Sequence, residues 1–247
     1  MASEDLIIGR NAVTETLKAG RSVNKLFVAS GSHDGSIKQI LALAKESGVV
    51  VEFVERAKLD KMSDGGRHQG VIAQVAALDY ATVEEILETA ASKNEPPFII
   101  LLDELEDPHN FGAILRTADA VGVHGVVIPK RRSVSLNSTV AKTSAGAVEY
   151  VRVAQVTNVA QTLKKFHELD LKIVGGDMSA EKNFNEADLT GGIVLVIGSE
   201  GKGMRRLTRE SCDLLVKIPM VGKINSLNAS VAGAVLLYEI FKQRSKN

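Results

Sequence analysis

Ile218-Pro-Met-Val-Gly-Lys-Ile-Asn-Ser-Leu-Asn-Ala-Ser-Val-Ala232 leaves an apolar strand over residues 214–218, crosses a glycine-containing loop, and enters a helix predicted to run to about Arg244. Small polar groups crowd the loop: Asn225, Ser226, Asn228 and Ser230. Read alone, they are explained equally well as helix caps, a position that favours Asn and Ser, or as a binding loop. Their setting decides the fold. Apolar runs at 98–102, 125–128, 150–153, 172–175, 193–198 and 214–218 alternate with helical patterns at 111–121, 138–147, 156–169, 205–212 and 227–244. Strands separated by helices predict an α/β domain with a mostly parallel sheet covered on both faces. Ligands of such sheets sit beyond the carboxyl ends of the strands.

Two further loops fall at such ends. Gly198-Ser-Glu-Gly-Lys-Gly203 follows an unbroken apolar run, and its glycines allow a tight turn and close approach to a ligand around Glu200. Asp107-Pro-His-Asn-Phe-Gly-Ala-Ile-Leu-Arg-Thr117 follows the first strand of the domain. Asn110 is placed to cap the ensuing helix. Arg116, nearly two turns on, is expected to project from much the same face, back toward the loop.

Residues 1–76 read as a smaller α/β unit, with Gly48 suited to end a helix over 37–47. Residues 77–97 are acidic, carry a short amphipathic piece at Val83, Ile86, Leu87 and Ala90, and close on Pro96-Pro97, which no helix continues through, so they read as a linker. The larger domain spans 98–247.

At 247 residues and 45% hydrophobic content, the chain suits one large or two small domains. No apolar run reaches the roughly 18 residues of a membrane span. The acidic start resembles no signal peptide, and the cytoplasm is the expected compartment. A single cysteine, Cys212, leaves no internal disulfide and no cysteine-cluster metal site. Thirty basic residues balance thirty acidic ones, yet Lys130, Arg131 and Arg132 stand together, and 202–209 holds four cations without an acid. Both clusters follow apolar strands, which favours a local site for an anionic polymer. There is no phosphate-cradling G-x-x-x-x-G-K-[ST], no G-x-G-x-x-G after a first strand, and no H-E-x-x-H. Nucleotide-fold, hydrolase and metalloenzyme readings therefore lack parts.

Asn110, Arg116, Glu200, Ser226 and Asn228, in this order, resemble the three motifs of the SpoU (TrmH) branch of the SPOUT methyltransferases, which methylate ribose 2′-hydroxyls of RNA. The pattern is N-x5-R, then I-G-S-E-G-x-G, then I-P-M-x4-N-S-L-N-x-S-V-A. The stretches 8–13 and 68–73 look like the L30e-like RNA-binding domain of the subgroup that acts on a guanosine of 23S rRNA. The resemblance implies a trefoil-knotted sheet, a homodimer and S-adenosyl-L-methionine as cofactor. It places Gly198, Gly201, Ile218, Pro219, Met220 and Leu227 in the cofactor pocket, with no metal. Asn110, Arg116, Glu200, Ser226 and Asn228 become the catalytic set, Arg116 clamping a phosphate and the developing alkoxide. Arg10, Arg67, Lys130, Arg131 and Arg132 are candidate RNA contacts. A tRNA ribose methyltransferase, or a non-catalytic RNA-binding assembly protein, stays open as an alternative.

Overall fold

The computed structural model describes residues 4–21, 23–32, 34–76, 79–223 and 226–245; Asn225 and the linker positions 77–78 lie outside them. The chain divides into two units. The first comprises residues 1–79 together with Ser135–Tyr150, the second Tyr80–Val134 together with Val151–Asn247.

The first unit is built from β1 (Glu4–Ile8), α1 (Arg10–Lys18), β2 (Val23–Ala29), α2 (Gly35–Glu46), β3 (Val51–Val54), α3 (Arg56–Met62), β4 (Val71–Ala76) and α6 (Ser138–Thr143), with a 3-10 turn at Ala147–Glu149. Its sheet runs β1-β4-β2-β3, antiparallel except for the β2–β3 pair. Alternation along β4 turns Ile72 into a small core with Phe27, Ala29, Val54 and Leu59. Asp34 caps α2 through a bond from Ile37 N, and Gly48, at φ +67°, follows the helix as its composition predicts. Ser135–Tyr150 is held in this unit by polar bonds. Arg21 Nη1 and Thr16 Oγ1 both donate to Glu149 Oε1, at 3.0 and 3.1 Å, and Tyr150 Oη donates to Glu15 Oε2 at 2.8 Å.

The second unit contains α4 (Val83–Ser92), β5 (Phe98–Asp103), α5 (Pro108–Ala120), β6 (Gly125–Pro129), β7 (Arg152–Val156), α7 (Val159–Glu168), β8 (Lys172–Gly176), β9 (Lys182–Asn183), β10 (Ile193–Gly198), α8 (Arg206–Glu210), β11 (Leu214–Lys217) and α9 (Ala229–Arg244). Its seven strands run in the order β7-β6-β5-β10-β8-β11-β9, and every pairing is parallel. β5 and β10 are buried along their whole lengths, as strands covered on both faces must be. One face packs Ile99, Leu101, Val194 and Val196 against Leu163 and Phe166 of α7 and Ile86 of α4. The opposite face meets α9, where a Cβ added at Gly233 would lie 2.9 Å from Ile197, and one at Gly176 would lie 2.9 Å from Leu236.

The reading of 77–97 as a linker is corrected here. Thr82 and Glu85 form a reciprocal capping box, so α4 starts firmly, and Ile86 and Ala90 are fully buried. Ala81 bridges Ala154 beside β7. The short amphipathic piece of the segment is thus a packed helix of the second unit and not part of a linker. Likewise, the helix expected at 138–147 is shortened to α6 plus the 3-10 turn and belongs with the first unit.

Candidate functional site

The carboxyl ends of β8, β10 and β11 converge on one cavity of about 490 Å³ in the second unit. β10 delivers its wall. Ser199 N donates to Gly203 O at 3.1 Å and Gly203 N to Ser199 O at 2.9 Å, closing the loop on itself. Gly201 and Gly203 take φ of +79° and +67°, where side chains are strained. Gly198 admits no side chain at all, because a Cβ there would lie 2.2 Å from the Gly203 carbonyl carbon.

The loop's far arm is anchored by Asp103, a fully buried carboxylate at the end of β5 and the register partner of Gly198. Asp103 accepts from Arg205 N at 2.8 Å and Nε at 2.8 Å, and its ion pair with Nη2 closes to 2.6 Å. Buried carboxylates need such charge-assisted partners. On the opposite wall Asp177 accepts from Ser179 N and Oγ and from Arg209 Nε. Burial raises the Asp177 carboxyl, but these bonds outweigh it and hold it below the usual range. The sequence signal for both anchors was an acid ending an apolar strand; neither was read as one.

A polar cluster sits at the mouth. Glu200 Oε1 accepts from Asn110 Nδ2 at 2.8 Å, Asn228 Nδ2 at 2.6 Å and Ala229 N at 3.2 Å. Asn228 Nδ2 also donates to Asn110 Oδ1 at 2.9 Å. Because an ionised carboxylate only accepts, both amides must turn their NH2 groups toward it. Asn228 Oδ1 is then left to cap α9, accepting from Ser230 N, Ser230 Oγ and Val231 N. The capping role and the site role of the loop thus coincide in one residue.

Of the residues expected here, Gly198, Glu200, Gly201, Ile218, Ser226 and Leu227 line the cavity. Asn110 and Asn228 reach it through Glu200. Pro219 and Met220 continue the chain past the lining. Two expectations about α5 are corrected. Its cap is Asp107, whose Oδ1 accepts from His109 N, and Asn110 lies inside the helix, 5% exposed. Arg116 does not share its face: six residues at about 100° each place it roughly 240° round. Arg116 is exposed and makes no ion pair among the described residues. Lys202 and Arg209, the two ends of the basic run 202–209, also line the cavity, as does Lys217, which no sequence pattern singled out.

The candidate RNA contacts divide. Arg10 has its guanidinium committed inside the first unit, to Gln69 O, Ser36 Oγ and Asp34 Oδ2. Arg67 is exposed and, with Arg10, Arg56, Asp60, Gly66, His68 and Gln69, lines a second cavity of about 400 Å³. Lys130 and Arg131 are exposed after β6, and Arg132 faces Glu104 at 3.6 Å. Among the described residues no cluster of His, Cys, Asp and Glu could hold a metal, and no helix is long and apolar enough to cross a membrane.

A parallel sheet with a glycine-walled cavity at its carboxyl edge, and an Asn–Glu–Asn cluster at the mouth, defines a class of ligand-binding α/β domain fused to a small second unit. Its sequence places it further. The chain belongs to the SpoU rRNA methylase family, whose model matches residues 97–238, and residues 6–81 match the RNA 2′-O ribose methyltransferase substrate-binding model. It is 53% identical over 241 residues to YacO of Bacillus subtilis, described as of the TrmH family of tRNA/rRNA methyltransferases, covering 98% of this chain and 96% of that one. Among solved structures, the SpoU methyltransferase AviRb of Streptomyces viridochromogenes, in complex with the cofactor AdoMet, superposes with a TM-score of 0.83 at 23% identity, covering 99% of this chain and 91% of AviRb. The A. aeolicus TrmH/SpoU tRNA modifying enzyme superposes with a TM-score of 0.56 at 35% identity, covering 62% of this chain and 77% of that one.

Proposed function

We propose that this protein methylates a ribose 2′-hydroxyl in RNA with S-adenosylmethionine as donor, and that its target is a guanosine of 23S rRNA. The cavity at the end of β10, with the Glu200 cluster at its mouth, carries the reading. Its volume falls within the range of about 300–1,000 Å³ usual for small-ligand sites. Its lining suits the cofactor: Ile197, Ile218, Leu227 and Leu236 offer apolar surface for a base, and the 198–203 loop offers backbone polar groups. When bound, the cofactor supplies an electrophilic methyl on a sulfonium. The chain's own part is to hold a ribose against that methyl and to remove its proton.

Arg116, exposed on α5, serves as a clamp for an RNA phosphate and the developing alkoxide rather than as a base, since a guanidinium stays protonated. Arg67, Lys130 and Arg131 are the RNA contacts favoured by exposure; Arg10 shapes its own unit. The 2′-hydroxyl requirement makes RNA, not DNA, the substrate.

A second copy of the chain is part of this reading. α9 carries apolar residues all round, and Val231, Tyr238 and Phe241 are exposed on it. A helix apolar on every side is ordinarily buried, so a homodimer through α9 is expected, as is the trefoil knot of the family around 198–232.

The test is transfer of labelled methyl from S-adenosylmethionine to 23S rRNA stripped of its modifications, with tRNA in parallel. A single guanosine resistant to alkaline cleavage in the large-subunit RNA is the expected product. Labelling of tRNA alone moves the substrate, in keeping with the tRNA/rRNA naming of the relatives. Labelling of neither overturns the reading.

A further inference from the structure

We propose that Glu200 is the proton acceptor for the ribose hydroxyl, acting through Oε2, and that Asn110 and Asn228 exist to aim it. The inference rests on the methyl-transfer reading above and assigns the step which that reading leaves without a residue.

Every polar atom of Asn228 is used: Oδ1 by the start of α9, and Nδ2 by Asn110 and Glu200. Asn110 has its oxygen taken by Asn228 and one amide hydrogen given to Glu200. Neither amide is placed to accept a proton, and neither is chemically able to. Glu200 is asymmetric. Three donors from α5, the 228 cap and the α9 backbone converge on Oε1, and no described residue bonds Oε2. A carboxylate fixed by one oxygen has its other oxygen pointed by the same bonds.

The other groups at the cavity lack the capacity. Asp177 has both oxygens occupied, Oδ1 by Ser179 and Oδ2 by Arg209. Lys202, Arg209 and Lys217 are cations. Ser226 carries a hydroxyl, itself a proton donor of the substrate's own kind. Glu200 remains the one anionic oxygen lining the cavity that no described residue occupies. It is exposed at the mouth, so a proton it takes can pass on to water.

The step balances. The ribose O–H bond breaks and its proton goes to Glu200 Oε2. The oxygen's electron pair forms the new O–CH3 bond as the C–S bond of the sulfonium breaks, and that bond's pair stays on sulfur. The products are the 2′-O-methyl ribose, the thioether and a protonated Glu200.

The decisive variant is Glu200→Gln. Its amide oxygen can accept all three bonds that Oε1 accepts, while its NH2 replaces the free oxygen and cannot take a proton. Single-turnover methyl transfer to unmodified 23S rRNA should fall about 100-fold or more, the usual worth of a positioned base. Amide exchange at Ala229 and calorimetric affinity for S-adenosylhomocysteine should stay at the parent's values. Glu200→Ala should lose both the exchange protection and the turnover, and added formate and acetate should restore turnover in the order of their basicity. Turnover of Glu200→Gln within tenfold of the parent overturns the proposal and leaves Glu200 a positioning group. If the Gln variant also loses protection at Ala229, the rescue series decides, and absence of rescue overturns it. A parent that methylates no RNA removes the functional reading and this step together; an active parent with an active Gln variant removes this step alone.

Discussion

Replacing Gly198 by alanine should damage the cavity more than any other single methyl added to its wall. The new Cβ would stand 2.2 Å from Gly203 C, 2.3 Å from Met204 N and 2.6 Å from Gly203 O. Ordinary contact begins at 3.4 Å, so the returning arm must retreat by about 1.2 Å, the difference 3.4 − 2.2. All three neighbours are backbone, and the arm cannot swing freely. It is tied by the paired bonds between Ser199 and Gly203 and by Arg205 N on buried Asp103. Overpacking costs about 1–3 kcal/mol, and with backbone on every side we expect about 3 kcal/mol. For a chain of this size each kcal/mol lowers Tm by about 2–4 °C, giving a fall of roughly 6–12 °C. Displacement of the wall by about 1 Å should also cost roughly 100-fold in turnover. Gly201→Ala is the control: nothing lies within 4 Å of its Cβ, so only its φ of +79° matters. Strain of that kind costs about 1 kcal/mol, or roughly 2–4 °C. Thermal melts and calorimetric titration with S-adenosylhomocysteine read both effects. If Gly198→Ala melts with Gly201→Ala and binds the ligand like the parent, the steric account is wrong.

Arg116→Ala should bind S-adenosylhomocysteine normally and lose about 100-fold in turnover, the effect of deleting a charge clamp; full turnover dismisses the role. Burial first, with Asp213 and Asp177 adding to it, pushes the Cys212 thiol up to about 12. Iodoacetamide at pH 8 should therefore label Cys212 only after urea is added, and prompt labelling of the native protein contradicts the burial. The Asp188 carboxyl is held at about 2, below its ordinary 3.8, by bonds from Lys172 and Thr190. A depressed folded value stabilises above the ordinary value and is lost as pH falls through the folded one. The urea midpoints of parent and Asp188→Asn should thus differ by a constant amount above about pH 5 and converge between roughly pH 4 and 2. Convergence at neutral pH instead would assign the difference to something other than this carboxylate.

The parallel sheet was legible because β5, β10 and β11 are continuous apolar runs, each ending in a conspicuous loop. Individual residues were harder. Asn110 looked like a cap because Asn favours that place, but Asp107 stands one position before Pro108, where helices commonly begin. Arg116 was placed by counting turns, and 1.67 turns is not a whole number; the phase, not the distance, decides which face a residue takes. The amphipathic piece at 83–90 was legible, but the acids around it and Pro96-Pro97 argued for a linker, and no local pattern shows that Ile86 and Ala90 are buried, Ile86 against the second unit's sheet. Asp103 and Asp177 could be recognised only through partners about 102 and 32 positions away, Arg205 and Arg209, which no local pattern pairs with them.

Ser135–Tyr150 completes the first unit although the 55 residues Tyr80–Val134 of the second unit separate it from Asp79. The Glu149 contacts span 128 and 133 positions. On a ribosome emitting about 5–20 residues per second, β1 to β4 would wait roughly 4–14 seconds for the segment that finishes them. During that interval β5 and β6 have also emerged. The two units, separate as packed bodies, are therefore interleaved in time. A fragment cut at residue 79 is an unfinished unit, so attempts to express the first unit alone should carry 135–150 with it.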